Sequence, residues 1–105
     1  NARRKAMSAL YMGDINYELR NIEEAMQYYL AAKTEVDKTD DYKTGYLIMS
    51  SLTNLYLFRD FADYALDACI KAYDYAVKDS NSRYQMTSLG LLARFIAYQM
   101  NFQKQ

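Results

Sequence analysis

Two groups of carboxylates lie close enough in sequence to suggest chemistry: the pair Glu23-Glu24 and the run Asp37, Asp40 and Asp41. Paired carboxylates can divide general acid and general base work, and an acidic loop can collect oxygen ligands for a hard cation. Neither group fits such a task. Glu23 and Glu24 open an apolar-periodic segment, where negative charge suits the positive end of a helix dipole. The acidic run lacks the Asp-x-Asp-x-Asp-Gly order of a calcium loop, and charged loops are ordinarily solvated. With no histidine in the chain, there is no Ser-His or Cys-His pair and no imidazole ligand. The single cysteine, Cys69, sits on an apolar stripe between Ala65 and Ala72, the setting of a buried structural thiol. One thiol makes neither an internal disulfide nor a thiolate zinc site. Gly13, Gly45 and Gly90 are isolated and form no phosphate-cradling loop. The residues predict no enzyme, no metal and no cofactor.

What remains is the chemistry of surfaces. The chain has 105 residues, 13 basic and 13 acidic, so its formal net charge is zero. That balance lacks the electrostatic footprint of a nucleic-acid binder or a membrane-surface domain. A hydrophobic fraction of 51% argues against disorder, and the length suits one domain with a real core. No stretch approaches the roughly 18 to 20 apolar residues of a bilayer span. The most apolar window, Leu89 to Met100, is broken by Arg94 and Gln99. The cluster Arg3-Arg4-Lys5 reads as a solvated end, and the first residues lack the apolar stretch of a signal peptide. The compartment stays undetermined.

The elements that must carry this surface are helical. Three glycines and no proline leave few breakers. Polar breaks at Arg20-Asn21, Asp37 to Asp41, Arg59-Asp60 and Asp79 to Ser82 divide the chain into segments of roughly 3–19, 22–36, 42–58, 61–78 and 83–99. Asn21 with Glu24 and Ser82 with Gln85 suggest capping boxes, and Asp60 and Asp40 or Asp41 suggest further N-caps. Ile22, Ala25, Met26, Tyr29, Ala32 and Val36 step by three and four, as do Phe61, Ala65, Leu66, Cys69, Ala72, Tyr73, Ala76 and Val77. Tyr46 to Phe58 is apolar around nearly its whole circumference, which predicts a central helix covered on several sides. No strand alternation or hairpin turn signal appears. The fold class is all-α.

The segments also repeat. A shift of about 40 residues lays Gly13 on Thr53 and Ala93, Met12 on Leu52 and Leu92, and Ile15 on Leu55 and Phe95. Ala9, Met49 and Leu89 align as well, and in the second segments Ala25 aligns with Ala65, Tyr29 with Cys69 and Ala32 with Ala72. Small residues let paired helices approach, while large ones fill the grooves beside them. The breaks recur at the same shift, at Asn21, Phe61 and Asn101. Two helical hairpins followed by the first helix of a third are expected, which a plain up-and-down bundle would not explain.

This pattern resembles the tetratricopeptide repeat family, whose core runs large-x2-large-Gly-x2-Tyr and then Ala-x3-aromatic-x2-Ala. Ala9-Leu10-Tyr11-Met12-Gly13 through Leu19, then Asn21 through Ala32 with Ala25, Tyr29 and Ala32, carries the likeness most fully. The second unit offers Met49, Leu52, Thr53, Tyr56, Ala65, Cys69 and Ala72; the third offers Leu89, Leu92, Ala93 and Ile96. The departures are a spacing of about 40 in place of 34, no proline or tryptophan, and Asn16 where a tyrosine is expected. The resemblance implies one domain over 1–105, a right-handed superhelix of antiparallel helical hairpins. It has about two and a half repeats and five helices: repeat one at about 5–41, repeat two at about 42–81, and a partial third at about 82–105.

The resemblance further implies a protein–protein interaction scaffold, a fragment of a larger protein of the bacterial regulatory kind, with a partner protein or peptide on the concave wall formed by the first helix of each hairpin. Matching positions give three rows: Asp14, Asn54 and Arg94; Tyr11, Ser51 and Leu91; Tyr17, Leu57 and Ala97. From these, Tyr11, Asp14, Tyr17, Ser51, Asn54, Leu57 and Arg94 are the expected partner-binding residues. The polar row would either hydrogen-bond an extended backbone or satisfy itself as a ladder. Leu10, Asp14, Ser50, Ser51 and Asn54 include no lysine, so recognition of a chaperone's terminal carboxylate is not expected. Two alternatives accompany this reading: a nucleic-acid-binding helical repeat, which would need basic rows beyond Arg94, and a self-associating domain. The open apolar face of Leu89, Leu92, Phe95 and Ile96 would be covered by further repeats or another copy of the chain.

Overall fold

A computed structural model describes residues 1–103, and among these it is all-α, with no strand. The order is α1 (Ala2–Glu18), α2 (Ile22–Val36), α3 (Tyr42–Phe58), α4 (Ala62–Lys78) and α5 (Ser82–Gln103). Four helices match the expected segments to within a residue. The fifth does not: α5 runs straight through Asn101, where the forty-residue shift predicts a break. A polar side chain at a surface position does not stop a helix unless the backbone also leaves the αR region, and here it does not.

Three of the four turns share one geometry. Arg20, Asp60 and Ser80 have φ of 64°, 60° and 53°, the left-handed region. Each turn then closes two carbonyls of the preceding helix. Asn21, Phe61 and Asn81 donate to residues five back (Asn16, Tyr56 and Ala76), and Arg20, Asp60 and Ser80 donate to residues three back. This is the Schellman motif, made without its usual glycine. The turn geometry displaces two expected N-caps. Asp60 occupies the left-handed position, so Phe61 becomes the N-cap of α4. Asn81, rather than Ser82, accepts from the Tyr84 amide at the start of α5. Nor does the Asn21 side chain cap α2; its amide donates to Asn16 at 3.3 Å. The remaining connection, residues 37–41, is longer, and there Asp41 caps α3 by accepting from the Thr44 amide at 3.2 Å. The Arg3 guanidinium pairs with Asp41 at 3.1 Å, so the basic N-terminal cluster is partly engaged.

Helices α1 and α2 form one antiparallel hairpin and α3 and α4 a second; α3 also packs on α1 and α2, and α5 packs on α4. Tyr46 of α3 stacks on Tyr84 of α5 with centroids 4.0 Å apart, so α1, α3 and α5 lie side by side. The molecule is a slab of 49 × 33 × 18 Å, its thin dimension matching two helix layers. As expected, α3 is central: Ile48, Met49, Leu52, Thr53 and Leu55 are all buried. Against it α4 presents almost only small residues (Ala65, Ala68, Cys69, Ala72 and Ala76), which allows the close approach that large α3 side chains then fill.

The forty-residue register is a packing register. In the first hairpin the buried Tyr29 ring covers Gly13, where an added Cβ would sit 2.5 Å from it. In the second, the equivalent pair is Thr53 and Cys69, both buried and lining one small cavity of about 130 Å³. Gly with Tyr fills its seam by setting a large ring on the smallest residue, whereas Thr with Cys, two side chains of similar volume, leaves the small cavity beside them. The third member, Ala93, is exposed, because no described helix lies over that side of α5.

Candidate interaction surface

Helices α1, α3 and α5 position the residues expected to meet a partner, and each lands in a definite environment. Tyr11 is exposed near the middle of α1. Asp14, one turn on, accepts from the Tyr29 hydroxyl at 2.6 Å and from Ser51 Oγ at 3.4 Å. The carboxylate thereby ties α1 to both α2 and α3. Burial, reinforced by the Asp14 carboxylate, holds the Tyr29 phenol well above the ordinary tyrosine range. Asp14 thus meets Ser51, one helical turn before its own counterpart Asn54. The polar row Asp14, Asn54 and Arg94 is not joined end to end: Asp14 has its partners in Tyr29 and Ser51, while Asn54 and Arg94 stand exposed on α3 and α5.

Tyr17 is half-buried. Its ring meets Phe58 edge-on at 6.2 Å, and the Arg20 guanidinium lies 5.5 Å from the Tyr17 centroid and 5.2 Å from that of Phe58. These three side chains close the seam between the C-terminal ends of α1 and α3. Such cation–aromatic contacts add modest stability at a partly exposed site. Tyr17 therefore serves packing with one edge and the surface with the other.

Leu57 and Arg94 are brought together. They line a groove of about 740 Å³ between the end of α3, the start of α4 and the outer half of α5, with Asp60, Ala62, Leu91, Phe95 and Tyr98 completing its wall. Its character is apolar with one guanidinium and one carboxylate, the usual make-up of a site that binds a ligand by burial and orients it by a few polar atoms. Asp60, Ala62, Phe95 and Tyr98 were not among the expected residues. Their signal lay in the same forty-residue register, as a change in side-chain size rather than a recurrence of it.

No family model, no curated protein and no solved structure matches the chain.

Asp41, Tyr75 and Cys69 titrate away from their ordinary values, each through burial and local partners. Burial opposes the charge of Asp41, but the Thr44 hydroxyl and amide and the Arg3 guanidinium outweigh it and hold the carboxyl below its ordinary value. Burial, then a hydrogen bond to Asp37, pushes the Tyr75 phenol up to about 12. Burial raises the Cys69 thiol, which donates to the Ser88 carbonyl at 3.7 Å; both properties suppress thiolate reactivity. Among the described residues no helix is long and apolar enough to cross a membrane.

Proposed function

We propose that this chain is a non-catalytic interaction scaffold of the tetratricopeptide kind, a right-handed superhelix of antiparallel hairpins that binds a partner segment on the face of α1, α3 and α5. One observation carries the reading. The Asp14–Ser51 hydrogen bond, between positions 37 apart, holds α1 beside α3, and Tyr11, Asn54, Leu57 and Arg94 remain exposed on α1, α3 and α5. Exposed tyrosine and arginine beside an apolar groove are the residue types that carry binding energy at interfaces. The test is selection of random displayed peptides on the whole chain, followed by hydrogen exchange of the complex. Protection confined to α1, α3 and α5 supports the proposal. Selected peptides that protect the outer sides of α2 and α4 instead, or no selection at all, would overturn it.

A second reading, self-association, is favoured by a separate feature of α5. Met86, Leu89, Ile96 and Met100 are exposed on one side of that helix, with Gly90, Ala93 and Ala97 between them. Large and small residues oppose one another about Ala93, apart from Met86 and Met100 at the two ends. A second α5 laid antiparallel across it sets Leu89 against Ala97 and Gly90 against Ile96, the self-complementarity an isologous two-fold contact requires. Light scattering that finds a dimer, reduced to a monomer by Ala93→Arg, supports this reading. A strict monomer at high concentration refutes it.

A further inference from the structure

The two seams between neighbouring first helices are built at the same register but filled differently. Between α1 and α3, Tyr17, Arg20 and Ile22 close the seam: the Tyr17 and Phe58 rings meet, Arg20 lies over both, and Ile22 is buried. Forty residues on, these positions hold Leu57, Asp60 and Ala62, each a smaller side chain. The receiving wall is not reduced to match. Tyr98 stands forty residues after Phe58, and it and Phe95 line the groove, so the second seam keeps aromatic walls while the side chains at the filling positions are smaller. The groove of about 740 Å³ lies where those smaller side chains stand.

We propose that this groove receives an aromatic residue of an extended peptide segment, its ring taking the place the Tyr17 ring fills in the first seam. The Phe95 and Tyr98 walls offer edge and face contacts suited to a ring. The volume, within the roughly 300–1,000 Å³ of ordinary ligand sites, admits the ring with its adjoining peptide groups. A peptide group carries one donor and one acceptor, and the groove supplies one of each: the Asp60 carboxylate accepts the N–H and the Arg94 guanidinium donates to the C=O. The inference rests on the α1–α3–α5 face being the interaction surface, and it locates the anchor of that interaction at a single seam.

The experiment is a titration of the isotopically labelled whole chain, followed by amide NMR shifts, with N-acetyltryptophanamide, N-acetylleucinamide and N-acetylalaninamide. The tryptophan probe is expected to saturate with a millimolar dissociation constant, as befits so few atoms, with shifts centred on Leu57, Leu91, Arg94 and Phe95. The leucine probe should bind several-fold more weakly and the alanine probe not measurably. Equal response to all three probes, or shifts scattered over the molecule, would overturn the assignment. The variant L57Y/D60R/A62I copies the first seam into the second and should weaken the tryptophan probe at least tenfold; unchanged binding by the folded variant would also overturn it. Should that variant not fold, Arg94→Met serves, and it is expected to weaken N-acetyltryptophanamide several-fold while leaving 3-methylindole, which has the ring without the peptide groups, unchanged; no change for N-acetyltryptophanamide would overturn the assignment. Selected peptides that protect α1 and the first half of α3 but leave residues 91–98 unprotected would sink this inference while leaving the wider face intact.

Discussion

The ring of Tyr29 lies over Gly13 while its hydroxyl donates to Asp14 at 2.6 Å, so one α2 side chain engages two consecutive residues of α1. Packing and polarity are satisfied by the same residue, and the pair sets the spacing of the first hairpin.

The three glycines are expected to respond differently to alanine. At Gly13 the new Cβ would sit 2.5 Å from the Tyr29 ring, which is buried and tethered. Gly13→Ala should therefore cost about 2–3 kcal/mol, the scale of core overpacking. At Gly45 the obstruction is the Tyr75 ring at 2.6 Å; that ring is only half-buried and is tethered to an exposed partner, Asp37, so the loss should be smaller. At Gly90 an added Cβ would meet nothing within 4 Å beyond its own helix backbone and chain neighbours, and Gly90→Ala should stabilise by about 0.5–1 kcal/mol through helix propensity. Urea unfolding midpoints of the three variants check the order.

Alkaline pH should unfold the chain through its tyrosines. Tyr29 and Tyr75 are neutral acids whose folded-state pKa lies above the unfolded value, Tyr75 at about 12. Their contribution is thus complete below the unfolded pKa of about 10 and is lost as pH rises above it. Stability measured by denaturant from pH 8 to 12 should be flat at first and fall beyond pH 10. Tyr75→Phe should flatten part of that fall, since phenylalanine has no proton to lose.

The left-handed turn residues offer stabilisation. Ser80 is exposed with φ of 53°, and only its Cβ opposes that conformation. Ser80→Gly is expected to raise unfolding free energy by about 0.5–1 kcal/mol. Arg20→Gly should gain less, because it also removes the guanidinium over Tyr17 and Phe58. Thermal melts of the two variants, compared side by side, decide this.

Leu52 and Leu92 occupy the same place in successive units, yet Leu52 is 1% exposed and Leu92 is only half-buried. Leu52→Ala should cost about 3 kcal/mol, whereas Leu92→Ala should cost about 1 kcal/mol or less in the monomer. Equal losses would mean that α5 is covered in solution.

Much of the fold was legible because it follows local rules. The four breaks, the helical stripes and the central position of Tyr42–Phe58 rest on breakers and apolar spacing, which act within a few residues. The caps were less legible. Asn21 and Ser82 have good capping side chains, but a Schellman turn places Arg20 and Ser80 in the left-handed region and so decides which following residue lies at the helix start. Of the expected surface residues, Leu57 and Arg94 meet at one groove, whereas Asp14 is drawn into the Tyr29 and Ser51 contacts.

By itself, the amino-acid order determined that the chain is helical, where its first four helices lie, and that they recur every 40 residues or so, since propensity and periodicity are properties of neighbours along the chain. Only the tertiary structure decided that Tyr29 is paid into one seam and Cys69 into the next, that Asp14 reaches Ser51, and that the seam beside Arg94 stays open. Those outcomes depend on how volumes from separate helices add in a shared space, a sum to which no single segment holds all the parts.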